Sequence, residues 1–80
     1  MSKIIVYTQE DCPPCKIVKM FLNDQKVSFI EKNITKDSTA RDELIHIYNA
    51  YSTPTVVVEE EVIIGFELEK LEKAIRSNQH

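Results

Sequence analysis

Two adjacent prolines bracketed by two cysteines restrict the fold of this 80-residue chain more than any other feature: Asp11-Cys12-Pro13-Pro14-Cys15. A proline pair lacks two N–H donors, so a helix tolerates it only in the first turn, where those donors have no intrahelical acceptor. The stretch follows a short apolar, β-branched run, Ile4-Ile5-Val6-Tyr7, and precedes an amphipathic segment. A strand, a turn and a helix are therefore predicted, with Cys12 at the helix N-terminus. A residue before proline avoids the α region, which puts Pro13 just outside the helix proper. The first free amides are then those of Cys15 and Lys16, facing the Cys12 sulfur. Unpaired N–H groups and the positive end of the helix dipole favour a thiolate there and should bring its pKa below the ~8.5 of free cysteine. A thiolate with a second thiol in reach is the minimum apparatus for exchanging disulfides.

Composition narrows the alternatives. The chain is 42% hydrophobic and 29% charged with a formal net charge of −3, which fits one small soluble domain, residues 1–80, and argues against nucleic acid or an anionic membrane as the main partner. The opening segment is too short for a signal-peptide core, and no window approaches the ~18 apolar residues that span a bilayer. The expected location is the cytoplasm, where a cysteine pair is catalytic or metal-binding more often than structural. A purely structural cross-link competes poorly, because closing so short a loop contributes only about 2 kcal/mol before strain is subtracted.

Lys3 to Thr8 reads as a buried first strand. In the helix that follows, Ile17, Val18, Phe21 and Leu22 share a face. Val27 to Ile34 reads as a second strand, with Val27 and Phe29 on one side and Ile30 and Ile34 on the other. Asp37 or Ser38 can cap a second helix, whose stripe is Ala40, Leu44, Ile47, Tyr48 and Tyr51. His46 falls off that stripe and reads as a solvated surface residue. Thr55–Val58 and Val62–Gly65 read as strands of a hairpin around an acidic turn, Glu59 to Glu61. A final helix is expected from Glu67 to Ser77, with acidic Glu67 and Glu69 at its start and Arg76 at its end. The order β-α-β-α-β-β-α predicts an α/β fold: a four-stranded mixed sheet, parallel in its first unit, with three helices distributed over both faces.

Cys12-Pro13-Pro14-Cys15 at a helix start, joined to Thr53-Pro54 before a late hairpin, resembles the thioredoxin fold across essentially the whole chain. The resemblance implies a cis bond at Pro54 beside the cysteine pair. Within that fold the chain is similar to glutaredoxin-like proteins: it has no tryptophan, and Val6 stands where thioredoxins carry a buried aspartate. Tyr7-Thr8, Cys12 and Cys15, the acidic hairpin and Gly65-Phe66 look most like the NrdH-type redoxins. Those proteins are reduced by thioredoxin reductase and donate electrons to ribonucleotide reductase. Glutathione-using relatives usually have a basic residue ahead of the first cysteine and a Gly-Gly-x-Asp turn; this chain has Gln9-Glu10-Asp11 and Ile64-Gly65-Phe66-Glu67 instead. The serine of the longer family motif is replaced by Ile64.

The roles follow from this reading. Cys12 attacks a partner disulfide and Cys15 resolves the mixed disulfide, with no bound cofactor beyond the redox-active pair and no metal. Pro13 and Pro14 stiffen the loop, and Lys16 adds positive charge. Thr53 and Pro54 form the substrate platform with Gly65 and Phe66 beside it, and Tyr7 flanks the groove. The expected partners of this monomer are a disulfide-bearing protein and either thioredoxin reductase or glutathione. Two readings from other classes compete: a metal module built on the Cys-x-x-Cys pair, and a redox-sensing subunit whose disulfide switches an interaction.

Overall fold

The apolar run near the N-terminus becomes the centre of the sheet. In the computed structural model, which describes residues 4–65 and 67–78, strand β1 spans Ile4–Thr8 and is buried along its whole length. It pairs in parallel with β2, Ile30–Asn33, and antiparallel with β3, Thr55–Val58. Strand β4, Glu61–Ile64, closes the hairpin with β3, so the order across the sheet is β2-β1-β3-β4. A strand covered on both faces needs no polar alternation, which is why β1 and β3 read as continuous apolar runs.

Strand periodicity sorts their side chains between two cores. Ile4, Val6, Val56, Val58 and Ile63 pack with Val18 and Leu22 of helix α1, Pro13–Asp24, and with Leu71, Ala74 and Ile75 of helix α3, Leu68–Asn78. On the other face Ile5, Tyr7 and Val57 pack with Ala40 and Leu44 of helix α2, Ser38–His46, and with Ala50 beyond it. The expected element order and mixed sheet are both present.

Several boundaries differ from the sequence reading, each for a local reason. The β2 ladder begins at Ile30 rather than Val27, because the amides of Gln25, Lys26 and Val27 turn back onto the carbonyls of Phe21, Asn23 and Leu22. Lys26 sits at φ 58° to make that turn. Val27 and Phe29 still pack against the α1–α3 core, while Ile30 is half exposed on the edge strand. Strand β4 starts one residue earlier than expected, at Glu61 opposite Val58, because the hairpin loop is only Glu59-Glu60, with Glu59 at φ 56°. Helix α2 is capped by Asp37, as one of the two candidates, but ends at His46. Asn49 then takes φ 53°, the Ala50 amide bonds the Leu44 carbonyl, and Ala50 is the residue buried. Ile47 and Tyr51, expected on the buried stripe, are therefore 63% and 78% exposed. Ile17 likewise faces outward, leaving a narrower buried stripe on α1.

Candidate active site

Cys12 is the N-cap of α1, with extended backbone at φ −119° and ψ 91°. Pro13 and Pro14 occupy the first two helical positions, so Pro13 lies inside the helix and neither residue has an N–H to leave unpaired. The first available amide is that of Cys15, which donates to Cys12 Sγ at 3.3 Å. The sulfur thus occupies the place usually held by a capping oxygen. The Lys16 amide, also expected to face the sulfur, instead donates to the Cys12 carbonyl at 3.4 Å as an ordinary helical bond. Its side chain is exposed.

Cys12 and Cys15 are joined by a disulfide, with Cα atoms 5.3 Å apart. Cys12 is the outer of the two but is less open than a bare helix end would be, at 7% exposure against 2% for Cys15. Part of the cover comes from the other side of the molecule. The Thr53–Pro54 bond is cis, and Thr53 Oγ1 donates toward Cys12 Sγ at 3.7 Å. Behind this contact the Gly65 amide bonds the Pro54 carbonyl at 2.8 Å, and Thr55 Oγ1 bonds the Ser52 carbonyl at 2.7 Å. Gly65 has φ +86°, a conformation that glycine adopts without steric cost, so the chain can leave β4 next to Pro54.

The structure therefore brings together Cys12, Pro13, Pro14, Cys15, Thr53, Pro54 and Gly65. Tyr7 does not join them. It is 1% exposed beneath α2, stacked obliquely on Tyr48 with ring centroids 5.8 Å apart, and its hydroxyl donates to Glu43 Oε1 at 2.9 Å. Burial, and then the neighbouring Glu43 carboxylate, holds its phenol well above the usual range. Its position on β1 points it into the core and not toward the groove. Phe66 lies outside the described residues. His46 is exposed, and among the described residues no group of three or more His, Cys, Asp or Glu side chains is gathered as a metal site would need. A cavity beside the site, reached by Gln9, Arg41 and Tyr51, was not foreseen. Its lining comes from four separate segments, and no spacing rule links them.

The glutaredoxin family model matches residues 4–63. The chain belongs to the glutaredoxin family. With its Cys-x-x-Cys pair, this glutaredoxin-family protein is a thiol–disulfide oxidoreductase whose redox-active pair is Cys12–Cys15. It is 31% identical over 65 residues to glutaredoxin 3 of Escherichia coli strain K12, covering 81% of this chain and 78% of that protein. The crystal structure of the thioredoxin-like protein BC3987 is 53% identical, covers 90% of this chain and 99% of its own, and superimposes with a TM-score of 0.88. The NrdH-redoxin of Escherichia coli, at 21% identity with 89% of this chain and 92% of that one covered, shares the fold with a TM-score of 0.78.

Proposed function

We propose that the protein reduces disulfides of partner proteins by a dithiol route in which Cys12 attacks and Cys15 resolves. The Cys12 thiolate adds to one sulfur of the partner's disulfide; that S–S bond breaks, and the other partner sulfur leaves as a thiolate and takes a proton from water. The Cys15 thiolate then attacks Cys12 Sγ, forming the intramolecular disulfide and releasing the second partner thiol. Two electrons have passed to the partner, and a reductase or dithiol must return them. The observation that carries this reading is the cross-linked pair at the mouth of α1, with Cys12 touching Thr53 just before the cis-proline. The helix end and the Cys15 amide that cap the sulfur favour its anion. In this reading the backbone at Thr53 pairs with a partner segment as an added strand.

The resemblance to NrdH-type redoxins supports thioredoxin reductase as the electron source and ribonucleotide reductase as an acceptor, with the protein acting as a cytoplasmic monomer. Glutathione is the competing source. Cys12→Ser should abolish reduction of an insulin-type protein disulfide, whereas Cys15→Ser should leave a mixed disulfide that can be trapped on a non-reducing gel. Full dithiol activity in Cys12→Ser refutes the assigned roles. NADPH consumption coupled through thioredoxin reductase should exceed that coupled through glutathione and glutathione reductase. The reverse order moves the protein to the glutathione branch.

A further inference from the structure

Strand β3 opens on a hydroxyl and continues in valine: Thr55, fully buried, precedes Val56, Val57 and Val58. A valine would fill nearly the same volume there, and a buried hydroxyl costs free energy unless it is paired. Thr55 Oγ1 donates to the Ser52 carbonyl at 2.7 Å. The Thr55 backbone stands opposite Tyr7 of β1 on one side and Ile64 of β4 on the other, so the hydroxyl projects from a fixed point of the sheet. The carbonyl it holds lies across the cis bond, in a loop outside the strands, and among the described residues no backbone amide donates to it. From the other end the Gly65 amide holds the Pro54 carbonyl at 2.8 Å. Thr53 sits between these two tethers, and its Oγ1 donates toward Cys12 Sγ at 3.7 Å. So long a contact, even to sulfur, is broken by a small drift of the loop.

Resting on the reading of Cys12 as the attacking thiolate, we infer that Thr55 is a positioning residue for the reaction: its hydroxyl fixes the Ser52 carbonyl and thereby keeps the Thr53 hydroxyl on the Cys12 sulfur. In the reduced protein the Thr53 hydroxyl donates to the sulfur anion, beside the Cys15 amide that caps the same atom. A donor to the charged form lowers the proton affinity of the thiol. Thr55 is sealed from solvent, so it meets no substrate and acts only through the loop. Without its hydroxyl the Ser52 carbonyl turns to water, the loop keeps only the Gly65 tether, and the Thr53 donor is less often within reach. Thiolate is then a smaller share of Cys12 below the thiol pKa, and the first attack slows in proportion.

The test follows alkylation of Cys12 by iodoacetamide against pH in the reduced full-length protein, with the modified cysteine assigned by mass spectrometry. Thr55→Val should move the midpoint of the profile to higher pH. On the acid side of both midpoints it should slow the reaction about three- to ten-fold, with the rate at high pH kept. Thr55→Ser, which restores the hydroxyl, should restore the wild-type profile. Thr53→Val should shift the midpoint in the same direction, and the double variant should shift it no further than Thr53→Val alone. A merely structural Thr55 lowers Tm in Thr55→Val and leaves the midpoint in place; that result overturns the inference and leaves the reductase reading intact. So does a double variant whose shift is the sum of the two single ones, since Thr55 then acts by another route. A wild-type midpoint no lower than that of free cysteine removes Cys12 as an activated nucleophile and sinks both readings.

Discussion

The two faces of the sheet carry matching polar clips built from different parts. On the α1 side, Glu31 Oε2 accepts from Thr8 Oγ1 at 2.8 Å and from Lys19 Nζ at 3.0 Å. On the α2 side, Glu43 Oε1 accepts from Tyr7 OH at 2.9 Å and from Lys32 Nζ at 2.7 Å. Each clip uses a hydroxyl from β1, a carboxylate and a lysine, and each ties β2 to β1 and to a helix. The first holds its carboxylate on the strand and its lysine on α1; the second holds its lysine on the strand and its carboxylate on α2. The Lys32 ammonium also lies 5.9 Å from the Tyr7 ring centroid. Strand β2 buries none of its four residues, so apolar packing cannot secure it as it secures β1. Polar contacts on both sides fasten the edge strand, while the helices that carry the site are held by the two apolar cores.

If that division is right, the cores should dominate stability. Leu22→Ala on the α1 side and Leu44→Ala on the α2 side should each cost about 2–5 kcal/mol in urea unfolding, since both side chains are almost fully buried. A cost under about 1 kcal/mol at either position would show that its core is not what holds that face. The α2 clip comes next. Tyr7→Phe keeps the ring but removes a hydrogen bond to a charged group, for an expected loss of about 1–2 kcal/mol, and Lys32 still pairs with Glu43. A neutral result would mean that the hydroxyl contributes no more than its solvation.

The smallest effect should come from the α1 clip. Lys19 is the main cause holding the Glu31 carboxyl below its ordinary value of 4.5, with Thr8 adding to it and burial opposing. A depressed folded-state pKa contributes stability above the unfolded carboxylate range, and that stability is lost as pH falls through the folded pKa. Glu31 and Lys19 are both partly exposed, so solvent screening keeps the term under about 1 kcal/mol. Glu31→Gln should lower Tm slightly at pH 7, and the difference from wild type should close below about pH 4.5. A difference that widens in acid would contradict the sign of the shift.

Local chemistry made much of the active site legible in advance. Two prolines can enter a helix only at its first turn, so Cys12 at the N-cap and the Cys15 amide on its sulfur follow from neighbours in the chain. The strand periods of β1 and β3 and the Asp37 cap are equally short-range. Helical periodicity, however, carries no information about where a helix stops. The apolar stripe through Ile47 and Tyr51 ran on past His46, and only the turn at Asn49 reveals that Ala50 is the residue buried. The same limit hid the direction of Tyr7. Alternation along β1 leaves open which of its two faces meets α2, and the structure decides it through contact with Leu44 and Glu43.

What the chain determined by itself is the capping of the sulfur at the head of the first helix, because the two prolines and the Cys15 amide that set it lie within a few residues. The family resemblance implied Thr53 and Pro54 beside that sulfur, and what the tertiary structure decided is the geometry of the distant contacts around it. Thr53 meets Cys12 from 41 residues away, and Arg41 and Tyr51 share a cavity wall with Gln9. Such contacts depend on how β1, β3 and α2 are laid side by side, and packing of distant segments leaves no periodic mark in the sequence.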